Sequence, residues 1–66
     1  MIIIMKQGTT HEHVEVLSQH IERWNVKANP IYGEGTIVIG LVGDTGAVDK
    51  DALMLDPQVE NIIKVQ

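Results

Sequence analysis

Thr36-Ile37-Val38-Ile39-Gly40-Leu41-Val42-Gly43-Asp44 is the stretch from which the rest of this chain can be worked out. From Ile37 to Val42 no side chain carries a charge or a hydrogen-bonding group, and β-branched residues recur. Such a run reads as a strand covered on both faces or nearly so, which places it in the middle of a sheet. The other segments must flank it and cover it.

Met1-Ile2-Ile3-Ile4-Met5 is the nearest match in character and reads as a second buried strand beside the first. Lys6-Gln7-Gly8 turns the chain. Thr9-Thr10-His11-Glu12 then has the Thr-x-x-Glu form of a capping box, with Thr9 accepting from the backbone of Glu12 and Glu12 reaching back. In the helix that follows, Val14, Leu17, Ile21 and Trp24 recur at intervals of three and four, giving one apolar stripe that covers a sheet face. Asn25 ends it. Val26 to Tyr32 alternates roughly, but Pro30 cannot donate to a ladder, so this strand belongs at an edge or carries a bulge. Gly33-Glu34-Gly35 is a tight turn into the central strand. After Asp44-Thr45-Gly46 a short helix is expected in which Val48, Ala52 and Leu55 share a face, ended by Asp56-Pro57. Val59-Glu60-Asn61-Ile62-Ile63-Lys64-Val65 reads as the last strand, with Ile63 and Val65 inward and Lys64 outward.

The element order is β-α-β-β-α-β, which predicts an α+β, ferredoxin-like sandwich: a four-stranded antiparallel sheet of order 4-1-3-2 with two helices on one face. That topology centres the two most apolar strands, so composition and connectivity agree. It also leaves the second sheet face bare, lined by Ile, Val and Leu side chains, and an apolar patch of that kind marks association.

A chain of 66 residues is one domain, and buries only about 60% of the surface its unfolded form exposes. It has no cysteine, so neither a disulfide nor a thiolate zinc site supports it, and pairing with a second body is the expected support. Five Lys/Arg stand against nine Asp/Glu, with one Trp and one Tyr. That balance argues against a nucleic-acid surface, which needs a basic stripe and stacking aromatics. The apolar start is too short for a membrane span and lacks the basic leader of a signal peptide, so a cytoplasmic protein is the default expectation.

The polar residues offer little chemistry. His11 and His13 are two apart, so on a helix they point about 200° away from each other and cannot share an ion; His13 and His20 share a side, but about 10 Å separates their Cα atoms. No metal site is expected. Gly33-Glu34-Gly35 and Gly43-Asp44-Thr45-Gly46 lack the Gly-Lys-Ser/Thr of a phosphate loop and read as turns. Asp44, Asp49, Asp51 and Asp56 flank a short helix, where capping accounts for them. Trp24 reads as core. With an ordinary Ser18 and no base beside it, nucleophilic catalysis has no candidate. A small enzyme would need a buried titratable group, for which Asn29, His13 and Tyr32 are the only residues to consider.

The opening Met-Ile-Ile-Ile-Met-Lys-Gln-Gly-Thr-Thr, the Trp24-Asn25-Val26-Lys27 junction, the run from Thr36 to Asp44 and the closing Val59 to Val65 segment, in that order and spacing, resemble one family. They look like the N-terminal ferredoxin-like, ACT-like regulatory domain of 3-deoxy-7-phosphoheptulonate (DAHP) synthase. The resemblance spans the whole chain and implies regulation of the first step of the shikimate pathway. In that family the small domains pair between subunits of a homo-oligomer and bind an aromatic amino acid such as tyrosine or phenylalanine. They then close over a barrel that condenses phosphoenolpyruvate with erythrose 4-phosphate using a divalent metal. The barrel would follow Gln66, so no catalytic residue and no cofactor is expected within 1–66. The family's effector-recognising stretch is the second strand, where a His and a Ser or similar small polar residue sit; the matching positions are Asn29 and Ile31, with Pro30 between. Asn29 retains a hydrogen-bonding group, whereas Ile31 has no hydroxyl, so the match carries tyrosine over poorly and leaves phenylalanine, another ligand or none open. A plainer role for Asn29-Pro30 is to bend an edge strand. The alternative function is a structural association module that pairs through its sheet face or edge strand and binds no small molecule.

Overall fold

The structure, a computed structural model, describes residues 1–64. Its elements are β1 (Ile2–Met5), α1 (His11–Glu22), β2 (Lys27–Tyr32), β3 (Ile37–Val42), a 3-10 turn (Thr45–Ala47), α2 (Lys50–Met54) and β4 (Val59–Ile63). The strands form one antiparallel sheet in the order β2-β3-β1-β4, with the two apolar runs side by side at its centre, as the sequence predicts. Ile3 lies opposite Ile39, and both are fully buried. β2 is an edge strand, where Pro30 removes no ladder bond that a neighbour needs.

The core lies between the sheet and the helices. It is built from Met1, Ile3 and Met5 of the first segment, Ile39 and Leu41 of β3, Val14 and Ile21 of α1, and Leu53 of α2. Val14 and Ile21 are seven apart, two helical turns, and Ser18 takes the buried position between them. Leu17 and Trp24, expected in the same stripe, are only partly buried and sit to its side, facing α2. Ser18 is short enough to let the helix approach the sheet, although its Oγ has no hydrogen-bond partner.

Three local expectations are corrected. The cap of α1 is Thr10, not Thr9: Thr10 Oγ1 accepts from the His13 N–H at 3.1 Å, so the pair Thr9–Glu12 forms no capping box. Thr9 is instead buried, its hydroxyl donating to the Lys6 carbonyl at 2.7 Å and lying 3.0 Å from the Gln58 side-chain amide. A turn bond and a contact to the far end of the chain hold it out of the capping position. In the second helical segment the inward residue of α2 is Leu53; Ala52 is exposed and Leu55 is 84% exposed. The reason is that α2 spans only five residues and starts after Val48, so Val48 and Leu55 do not belong to one continuous helical face. Asp44 and Asp49 do cap, accepting from Gly46 N–H at 3.0 Å and Ala52 N–H at 3.1 Å.

The third correction concerns β4. Ile62 faces the core opposite Ile3, while Ile63 is 44% exposed on the other side. Between Ile4 and Met5 the register shifts: Ile4 pairs with Asn61 but Met5 pairs with Val59. Glu60 is the extra residue of a bulge, and one extra residue reverses the alternation, so Val59 and Ile62 both turn inward. Val65, expected to face inward, lies outside the described residues. At the end of α1, Asn25 adopts φ 63°, a left-handed conformation that asparagine tolerates and that stops the helix as expected.

Candidate functional site

The sheet face away from the helices is open. Along β2, Lys27, Asn29 and Ile31 point to this face, because alternate residues share a side and Ala28 packs toward the core. The register extends the rows across the sheet. Asn29 lies opposite Gly40, which lies opposite Ile2, which lies opposite Ile63. Ile31 lies opposite Val38, then Ile4, then Asn61. Val42, at 65% exposure, and Ile31, at 53%, are large apolar side chains left to solvent. The two positions singled out in the sequence, Asn29 and Ile31, are therefore neighbours on one face. Asn29 is next to a position without a side chain, Gly40, so its amide borders a shallow gap in an otherwise apolar surface. Asn29 makes no side-chain hydrogen bond among the described residues, and its donor and acceptor are both available to a partner.

The helical side carries a second cluster. His13 Nε2–H donates to Asp56 Oδ2 at 2.8 Å and Oδ1 at 3.0 Å, and Asp56 Oδ1 also accepts from the Gln58 N–H at 2.9 Å. This contact ties the first turn of α1 to the end of the α2 segment, 43 residues away. Only the fold brings these groups together; in the sequence His13 is one of three scattered histidines and Asp56 a helix end. Replacing His13 with alanine leaves the Asp56 carboxylate, 18% exposed, without its side-chain partner. The expected loss is about 1–2 kcal/mol in denaturant unfolding. In a double-mutant cycle with Asp56→Asn, the two changes should cost less together than the sum of each alone.

At the edge of the sheet Tyr32 reaches back over α1. Its hydroxyl donates to Glu15 Oε1 at 3.1 Å, and its ring lies 4.1 Å from that of His11, tilted by 41°. Loss of solvent around the phenol, then the hydrogen bond to Glu15 and the negative charge it carries, holds the Tyr32 pKa above its ordinary value. Because the folded value is raised, the contribution to stability is complete below the unfolded pKa of about 10 and is lost as pH rises through the folded value. Tyr32 is the sole tyrosine, so absorbance at the phenolate band reads it alone. We expect a midpoint above that of free tyrosine, and a return toward it in Glu15→Gln.

None of the three residues considered for an enzymatic reading supplies a buried titratable group: Asn29 is exposed on the open face, His13 is half-buried in the helix cluster and Tyr32 is exposed against Glu15. Among the described residues no three His, Cys, Asp or Glu side chains converge in a metal-holding group, and no helix is long and apolar enough to cross a membrane.

Comparison with known proteins agrees with the fold. The chain is 31% identical over 65 residues to a phospho-2-dehydro-3-deoxyheptonate aldolase of Thermotoga maritima, covering 98% of this chain and 19% of that protein. The crystal structure of the phospho-2-dehydro-3-deoxyheptonate aldolase (DAHP synthase) from Thermotoga maritima superposes with a TM-score of 0.86 at 29% identity, again over 98% of this chain and 19% of the other. The chain thus spans about a fifth of the length of the relatives it matches. The pattern of the DAHP synthase ferredoxin-like domain matches residues 1–66 without remainder, and this chain belongs to that family.

Proposed function

We propose that this chain is a non-catalytic regulatory module of a DAHP synthase. It pairs with a second copy through its open sheet face or its β2 edge, takes an aromatic amino acid at that interface, and passes the effect to a catalytic barrel. The observation that carries the reading is the end-to-end match of the chain to one fifth of an aldolase, as a ferredoxin-like domain and not as its remaining four fifths. The open face supports it. Asn29 supplies a hydrogen-bonding group beside the gap at Gly40, while Ile31, Val38 and Ile4 form an apolar strip next to it. An aromatic amino acid has the matching halves, a ring for the strip and polar groups for Asn29. Regulation requires that the bound amino acid favour one arrangement of paired modules over another by about 1–3 kcal/mol.

Ile31 stands where the family carries a small polar residue, which favours phenylalanine over tyrosine at this position. The test is calorimetric titration with tyrosine, phenylalanine and tryptophan, with sedimentation to follow the oligomer. Saturable heat with at least one of the three, together with a dimer, supports regulation. Absence of heat for all three with a persisting dimer overturns it in favour of the second reading, a structural association module. That reading is favoured by the breadth of the apolar face, on which Asn29 and Asn61 are the polar interruptions in the two central rows.

A further inference from the structure

A cleft of about 610 Å³ opens between α1 and α2, on the helical side of the molecule and away from Asn29 and Ile31. Its size falls within the ~300–1,000 Å³ of small-molecule sites. Its apolar lining comes from Leu17 of α1, Trp24 just past the end of that helix, Leu53 of α2, and Leu55 and Pro57 beyond it. Leu55 is 84% exposed, a large side chain held at the rim with little packed on it. The polar groups of the cleft differ in what they have left to offer. Asp56, its one carboxylate, is engaged at both oxygens by His13 and at one of them by the Gln58 N–H as well. Arg23 and His20 also line the cleft, and the side-chain contact of His13 with Asp56 involves neither of them.

We propose that this cleft binds a small apolar monocarboxylate, with an aryl or branched-alkyl body against Trp24 and the leucines and the carboxylate toward Arg23, with His20 beside it. The charge pattern selects the class. A guanidinium presents paired donors that match a carboxylate, and the neighbouring imidazole adds a further donor. An ammonium group finds a poorer partner, since the single carboxylate already accepts from His13 and from the Gln58 N–H. The corresponding acid without an amino group therefore fits better than an amino acid. Burying Trp24 and Leu55 under the ligand body provides the apolar contribution. The site is separate from the open sheet face and stands whether or not that face takes an effector.

The probes are phenylacetate, its neutral analogue phenylacetamide, and phenylalanine, each titrated into the isotope-labelled chain. Trp24 is the sole tryptophan, so its emission reports on the cleft alone. Phenylacetate should move the amide resonances of residues 17–24 and 52–57 saturably and change Trp24 emission, binding about tenfold more tightly than phenylacetamide. Arg23 is exposed at the end of α1. Arg23→Gln should lower phenylacetate to the affinity of the amide while leaving the amide unchanged, and Arg23→Lys should recover part of the loss. Equal binding of acid and amide to the unaltered chain, no saturable change with phenylacetate, or shifts confined to residues 27–31 and 38–42 would each overturn the proposal. The comparison of acid with amide needs no variant. Shifts in residues 27–31 caused by phenylalanine alone bear on the regulatory reading and not on this one.

Discussion

Replacing Ile39 with alanine should cost about 2–5 kcal/mol, enough to leave the chain largely unfolded at the lower end of the stability expected for its length. Ile39 is fully buried, pairs across β3 with Ile3 on one side and Pro30 on the other, and belongs to the single core. Truncating a buried isoleucine costs about 2–5 kcal/mol, the transfer loss plus the cavity left behind. At roughly 0.05–0.15 kcal/mol per residue, a chain this short has on the order of 3–10 kcal/mol in total. The single change removes a large part of that. Ile63→Ala is the control: at 44% exposure on the open face, it should cost the monomer under about 1 kcal/mol. Urea unfolding followed by circular dichroism checks both. Equal losses at the two positions would show that the helical side of the sheet is not where the stability resides.

With pairing through the open face as proposed, Val38→Lys should give a monomer without unfolding it. Val38 lies in the middle of the open face, between Ile31 and Ile4 in the cross-strand row, so any second copy covering this face must desolvate the new ammonium. An unpaired buried charge costs several kcal/mol, enough to weaken the dimer by about a hundredfold or more. In the free chain the lysine stem can lie along the neighbouring isoleucines with its charge in water, so folding should change little. Sedimentation across a range of concentrations gives the result directly. The apparent stability of the unaltered chain should rise with concentration and that of the variant should not. An unchanged association constant would exclude the open face as the interface and leave the β2 edge.

The candidate site was legible in the sequence only as positions along a strand. Asn29 and Ile31 are two apart, which puts them on one side of β2, but nothing local says which side. That followed from the pairing with Gly40 and Val38 and from the helices covering the opposite face. The helix cleft was not legible at all. His13 and Asp56 read separately as a histidine without a partner and a helix end, and their 2.8 Å contact spans 43 residues. The one hint available was that His13, Leu17 and His20 fall on one flank of α1, at the margin of its apolar stripe, and that Trp24 continues the same spacing past its end.

The element order, the two central strands and the edge position of β2 follow from local properties: unbroken apolar runs, helical spacing, and a proline that cannot donate. Which residues of the later elements turn inward depends on packing between segments. In β4 the bulge at Glu60 reverses the alternation and sends Ile62 inward in place of Ile63. In α2 the late start makes Leu53 the buried contact and leaves Leu55 exposed. At the start of α1 a bond from Thr9 to Lys6 passes the capping role to Thr10. In each case the deciding atom belongs to another segment, or to a boundary that packing sets, and periodicity within one segment carries no information about either.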